Sequence, residues 1–184
     1  GASLEAIGFF NDYKNLLGTC TESTGGTCAS GSQFDGGAVD VYGLELTATA
    51  DASRWINTPF NLPLSAVYTL TQTEFKNSFD SGFDPWGNVV AGDELPYVAD
   101  NQLFLSAGAE SDRWGVEWTM LYQSERRAFA GQGPIPANEL LDAHTVVDFS
   151  GYVEILDGVK LRGKVENVFN EIYIAADRPA GLRP

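Results

Sequence analysis

The sequence has little with which to run chemistry: one histidine, two cysteines and one methionine in 184 residues. It holds no Gly-x-Ser-x-Gly elbow, no His-Glu-x-x-His, no phosphate-cradling Gly-rich loop and no cysteine-rich metal spacing. His144 has Asp142 and Asp148 near it in sequence, and a strand-start histidine among acids reads as a polar rim residue. No catalytic constellation and no cofactor is implied, so the chain does not read as an enzyme. Basic residues are also scarce, 11 against 25 acidic ones, for a net charge of -14. That balance excludes a nucleic-acid backbone as partner. No apolar run approaches the ~18 residues of a transmembrane helix. A membrane stays open, because barrel strands need only about ten alternating residues each. Gly1-Ala2-Ser3-Leu4-Glu5 has neither the basic start nor the apolar core of a signal peptide.

Cys20 and Cys28 lie across a Ser/Thr/Gly-rich loop. A metal site there would lack further ligands, with His144 far away, and the pair reads as a disulfide in an oxidising, extracytoplasmic compartment. Closing so short a ring restricts the unfolded chain by about 2.5 kcal/mol in the chain-entropy picture.

What the chain does have is alternation. Val159, Leu161, Gly163 and Val165 point one way, while Lys160, Arg162, Lys164 and Glu166 point the other, the period-two mark of a strand with one apolar and one wet face. The same reading predicts strands at Leu4–Leu17, Val39–Ala50, Leu64–Thr73, Gln102–Glu110, Trp114–Phe129 and Thr145–Ile155. Tyr42, Leu44, Leu46 and Ala48, then Leu64, Ala66, Tyr68 and Leu70, then Val147, Phe149, Val153 and Ile155 form apolar rows. Leu121 breaks the polarity of its row. Connections alternate between long (18–37, 75–101, 130–144) and shorter (51–63, 111–113, 156–158), as in outer-membrane barrels with long outer loops and short periplasmic turns. A soluble β-sandwich binding module has no reason to sort them so, and a passive pore would need closure within about seven strands.

Several stretches resemble TonB-dependent outer-membrane receptors. Asn167-Val168-Phe169-Asn170-Glu171-Ile172-Tyr173 followed by Arg178-Pro179-Ala180-Gly181-Leu182-Arg183-Pro184 is similar to the family's C-terminal signature, with Val168 where Leu is commoner and Asn170 where Asp is commoner. Gly43-Leu44-Glu45-Leu46 matches its Gly-x-Glu-x strands, and Leu95-Pro96-Tyr97-Val98-Ala99-Asp100-Asn101 its run into a descending strand. Phe9-Phe10-Asn11-Asp12-Tyr13-Lys14-Asn15-Leu16 with its paired cysteines looks most like ferric-citrate-receptor-type members. The resemblance implies an all-β fold: an antiparallel up-and-down transmembrane β-barrel, present as a partial barrel of about seven strands. Residues 1–184 would be its C-terminal portion, with the plug domain and the final strand absent. It implies active import of a ferric siderophore or ferric citrate-like chelate across the outer membrane of a Gram-negative bacterium. The partners implied are TonB (through an N-terminal region), outer-membrane lipid, the plug and the remaining barrel strands.

Within that frame Arg126 and Arg127 stand at the outer rim, where a guanidinium fork holds carboxylate-rich ligands, lipid headgroups or a neighbouring loop; as neighbours on one strand, only one would face inward. Trp86 and Tyr97, in a long outer loop, would pack over a ligand or hold the loop together. Lys160, Arg162 and Lys164 face the lumen, toward the plug or toward Asp148 and Glu154. Asp80, Asp84 and Asp93 read as loop solvation rather than as a calcium site. Trp55, Trp114, Trp118, Tyr42, Tyr68 and Tyr122 suit interfacial girdles.

Overall fold

A computed structural model describes residues 1–22, 27–178 and 181–183, with backbone alone for 176–178 and 181–183. Ser23–Gly26, Pro179, Ala180 and Pro184 of the motifs above lie outside the described residues.

Seven strands make one antiparallel sheet in chain order. They are β1 (Ala2–Tyr13), β2 (Val39–Asp51), β3 (Pro63–Phe75), β4 (Asn101–Glu110), β5 (Trp114–Gln123), β6 (His144–Leu156) and β7 (Val159–Val165). Each strand pairs with its neighbours along the chain, so the sheet is a pure, unclosed meander, the partial barrel that the resemblance implies. No second sheet packs on it face to face, as a sandwich would require: the other described sheets are two-stranded hairpins.

Directly opposite residues share a face, so register sorts the whole wall. One row runs Leu44↔Leu70, then Leu46↔Tyr68↔Leu103↔Tyr122, then Ala66↔Leu105↔Met120↔Val147. It continues through Trp118↔Phe149↔Val165 and Trp114↔Val153↔Leu161, all on one apolar face. The opposite face carries Ser3↔Thr49↔Ser65↔Ser106↔Thr119↔Asp148 and Glu117↔Ser150↔Lys164. Leu4, Phe10, Phe149, Val153, Leu161 and Val165 are all exposed, the inverse of a water-soluble sheet, which would bury such a face. Trp118 sits mid-wall against Ala107 and Phe149 rather than at a strand end.

Local structure departs from the alternation reading at four places beyond a shift of one or two residues at strand ends. The first strand stops at Tyr13, and Leu17–Thr19 turns back to pair with Gln33–Asp35. The fifth stops at Gln123, and Arg126–Arg127 leaves the wall to pair with Leu140–Leu141. The 51–63 connection contains a helical turn, Ser53–Ile56. Between β6 and β7 the register shifts at Glu154/Leu156, a bulge at Ile155, and Gly158 turns the chain at φ 78. At the first and fifth strands, polar or apolar rhythm continues past the point where tertiary partners change.

The main buried cluster lies outside the wall, among the outer loops. Val39, Phe75, Trp86 and Val89 form it, with Leu16, Phe34, Phe79, Phe83, Leu95 and Ala130 packed around them. The wall itself is two-sided and has no interior of its own.

Gly43 shows how tightly the strands meet. A side chain there would run into the Leu70 carbonyl and the Phe9 ring, whereas Gly8 has nothing within 4 Å. Because a backbone carbonyl cannot step aside, Gly43→Ala is expected to destabilise the barrel by about 1–3 kcal/mol, the range for overpacking. Gly8→Ala should leave stability unchanged or slightly raised. Denaturant unfolding of both variants in the full-length protein, followed by gel-mobility shift, checks the contrast.

Candidate functional site

The described residues of three outer connections, 14–38, 76–100 and 124–143, fold into one body. In the first, Cys20 and Cys28 are disulfide-bonded with Cα atoms 6.0 Å apart. The Cys20 N–H donates to the Ser32 carbonyl and the Gly31 N–H to the Cys20 carbonyl, closing the hairpin. Leu16 and Phe34 from this loop reach the aromatic cluster; Phe34 stacks on Phe83 at 4.6 Å and meets Trp86 edge-on at 4.9 Å. The second loop supplies Phe79, Phe83, Trp86 and Val89. The third closes against it: the Glu94 N–H donates to the Gly131 carbonyl, the Ala130 N–H to Pro85 and the Tyr97 N–H to Arg127.

Trp86 is therefore the centre of the loop core. Trp86 is 9% exposed, and its ring meets those of Phe34, Phe75, Phe79 and Phe83. Tyr97 takes a left-handed backbone, φ 65, where its N–H ties the second loop to the third. Two acidic residues of this loop, Asp80 and Asp93, act as turn staples. Asp80 accepts from Asn88 at 2.6 Å, while Asp93 accepts from the Val90 N–H at 2.8 Å and from Gln132 at 3.1 Å. No group of acids, histidines or cysteines among the described residues is arranged to hold a metal ion.

Arg126 and Arg127 are both buried, at 6% and 3% exposure. The expectation that only one turns inward fails because they leave the wall before reaching these positions. Arg127 Nε pairs with Glu94 at 2.8 Å, and its Nη2 donates to the Gly133 carbonyl at 3.0 Å. It is a brace between the second and third loops. Arg126 Nη2 donates to the carbonyls of Ile174 at 3.3 Å and Ala175 at 3.2 Å, holding the segment that follows β7. Its Nη1 is buried with no hydrogen-bond partner. Beside it, Tyr173 from the same segment stacks on His144 with ring centroids 4.1 Å apart.

The two arginines line a cleft of about 440 Å³ together with Glu94, Asp100, Glu125 and Tyr122. Sequence reading singled out its cations and missed its carboxylates, because Glu94 and Asp100 come from the far end of a long loop. Partial burial, with repulsion from Glu94, raises the Asp100 pKa above the ordinary carboxylate value, against a smaller opposing pull from Arg127.

The polar face of the wall holds a second groove, about 540 Å³, at the end with the shorter connections. Glu110, Glu117, Tyr152, Arg162 and Lys164 line it. Lys164 pairs with Glu166 at 2.7 Å and with Asp148 at 3.5 Å. Lys160 and Arg162 lie over the Tyr152 ring, 4.8 and 5.9 Å from its centroid. Lys160 stands opposite Glu154 in register, but that carboxylate accepts instead from the Gly158 N–H at 2.8 Å. Between the two sites one row of the polar face turns apolar: Val67↔Phe104↔Leu121↔Val146, directly opposite one another across four strands. Leu121 was the visible break in the alternation; its neighbours become meaningful only once register is known.

The family model for TonB dependent receptor-like β-barrels matches residues 1–168. The chain belongs to that family. No curated protein and no solved structure matches it at comparable stringency. Membership identifies the apolar face as the lipid-facing one and the polar face as the lumen wall of an outer-membrane transport barrel. Its long connections are then extracellular loops and its short ones periplasmic turns. The ferric-citrate-type likeness is a finer matter than this match reaches.

Two outcomes follow for the loop body. Because its folded pKa is raised, Asp100 favours the native state most when protonated, and this contribution fades as pH rises through the folded value. Asp100→Asn should therefore slow hydrogen exchange of residues 92–100 at neutral pH, with the gain vanishing near pH 4. Arg127→Ala removes a nearly inaccessible brace, and loosening of loops two and three by about 1–3 kcal/mol is expected from the same exchange measurement.

Proposed function

We propose that the full protein is an outer-membrane active-transport receptor for a ferric siderophore or ferric citrate-like chelate, energised through TonB. Residues 1–184 supply the C-terminal portion of its barrel. The observation that carries the reading is the apolar row Val67, Phe104, Leu121 and Val146 on the lumen face. In a water-filled passive pore these side chains would stand in water across four adjacent strands. In a plugged receptor they meet protein, and the lumen needs no such penalty.

Lys160, Arg162 and Lys164 then face the plug, with the Tyr152 platform and Glu117 beside them. At the outer end Arg126 is the arginine suited to a ligand, since one terminal nitrogen lacks a partner; Arg127 is a brace. Tyr97 keeps the cleft's loops together. Within the proposed class, Glu94, Asp100 and Glu125 around the cleft favour a neutral or cationic ferric siderophore over a ferric citrate-like chelate, because each like charge within a few ångströms costs binding.

The test uses the complete receptor and its Arg126→Ala and Arg127→Ala forms. Titrations compare ferric citrate with a neutral or cationic ferric chelate. Loss of about 1.5–3 kcal/mol in affinity on Arg126→Ala, the range for a hydrogen bond to a charged group, with little change for Arg127→Ala beyond loop loosening, is the expected pattern. Equal binding by all forms removes the Arg126 assignment. Failure of the intact protein to import any member of a broad panel of chelates and nutrients, with and without an uncoupler, removes the transport reading.

A further inference from the structure

After β7 the chain leaves the ladder but stays fastened to the wall. Asn167 and Asn170 take positive φ, 50 and 53, which asparagine tolerates better than most residues. The Asn167 side chain closes the turn: its Oδ1 accepts from the Glu171 N–H at 2.7 Å, and its Nδ2 donates to the Glu171 carbonyl at 2.9 Å. The Asn167 N–H donates to Asp148 at 2.9 Å, and the Val168 N–H to the Val147 carbonyl at 2.8 Å. The turn is thus pinned to β6, and it delivers Tyr173 onto His144 in a parallel stack, 4.1 Å between centroids and 2° between planes. Asp148 and His144 both belong to the polar face of β6, so each end of the segment is tied to a lumen-face side chain.

His144 is buried with its Nδ1 unpartnered, so it meets Tyr173 through its ring face rather than through a hydrogen bond at that nitrogen. The carbonyls that follow Tyr173 are the ones that hold Arg126. Its Nη2 donates to Ile174 and Ala175 at 3.3 and 3.2 Å. These bonds are at the long limit for N–H···O, so a small displacement of the segment breaks them. A guanidinium is planar and its donors keep a fixed fork, so fixing Nη2 also fixes the direction of Nη1. The backbone under Arg126 cannot do this by itself. Its hairpin has two residue pairs, Arg126↔Leu141 and Arg127↔Leu140, and a long arginine side chain has many rotamers to lose.

We propose that Tyr173, stacked on His144, is a positioning residue for the ligand: it places the two carbonyls that aim Arg126 Nη1. The segment after β7 then belongs to the outer cleft and acts on the solute through Arg126. This inference rests on the reading of Arg126 under the proposed function, and adds to it the part of the chain that holds that arginine in place.

The experiment compares the complete receptor with its Tyr173→Ala, Tyr173→Phe and Arg126→Ala forms and with the Tyr173→Ala/Arg126→Ala double variant. Reaction of each arginine with phenylglyoxal, mapped by mass spectrometry, reads positioning without any ligand. Arg126 and Arg127 are both buried. Arg126 should react slowly in the unaltered and Tyr173→Phe proteins and several-fold faster in Tyr173→Ala, while Arg127 stays protected throughout. Titration with ferric citrate and with a neutral ferric trihydroxamate reads the ligand. For whichever chelate binds, Tyr173→Ala should lose about tenfold or more in affinity, as Arg126→Ala does. Tyr173→Phe should keep the affinity, and the double variant should lose no more than Arg126→Ala alone, because the two residues act as one unit. Unchanged Arg126 reactivity in Tyr173→Ala overturns the proposal. So does faster reaction of Arg127 as well, which would mean a general loosening of the loops. Affinity lost in Arg126→Ala but kept in Tyr173→Ala overturns it too, and spares the Arg126 reading. Affinity kept in every form removes the Arg126 reading, and the ligand role of Tyr173 falls with it.

Discussion

In a wall bounded by hydrocarbon, every backbone N–H and C=O must find its partner inside the wall, and most of this chain follows from meeting that demand. An antiparallel meander meets it with the shortest connections. Strict pairing then forces side chains into two alternating sets, and the composition obeys. Leucine, valine, alanine and phenylalanine fill one set, threonine, serine and charge the other. The close approach at Gly43 belongs to the same constraint, since the hydrogen-bond ladder leaves no room there for a Cβ between strand and neighbour. A sheet so organised has no hydrophobic core, and its stability rests on pairing and on the lipid it faces.

The outer loops answer a different demand. Exposed to water and freed from the ladder, they carry the main buried cluster of the chain. Phe75 is the hinge between the two regimes: it ends β3 and is also fully enclosed by the loop core, against Phe79 and Trp86. Val39 does the same at the start of β2. The loop core is thereby tied directly to the ends of two wall strands.

This division explains what sequence alone could reveal. Period-two alternation reports a local fact, which side of the backbone faces apolar surroundings, and it located every wall strand and the face of Val147, Phe149, Val153, Leu161 and Val165. It carries no record of where pairing partners change. Arg126 and Arg127 therefore looked like the end of a long strand, although they belong to a separate hairpin with Leu140 and Leu141. Trp86 and Tyr97 could be placed in a loop, but Phe34 against Trp86 and Arg127 bonded to Tyr97 come from other loops, far off in the chain. The site carboxylates were invisible for the same reason: Glu94 meets Arg127 across a loop whose path no local pattern encodes.

The lumen row shows the two kinds of information combining. Each of Val67, Phe104, Leu121 and Val146 taken singly is an apolar residue in a polar series, an unremarkable lapse. Register turns four lapses into one line at a single height. Above it stand Thr69, Gln102, Gln123 and His144, and below it Ser65, Ser106, Thr119 and Asp148, so the line is bounded by polar rows on both sides. A random scatter of apolar residues would fill lumen space unevenly; a level row instead presents a narrow band that a rounded protein surface can touch all along its length. Water contact at that height would be unfavourable on four strands at once, while at the rows above and below it would cost little. Across these four strands the row is therefore the level of the polar face at which contact with protein is favoured over contact with water, and it is on this row that the proposed plugged receptor rests.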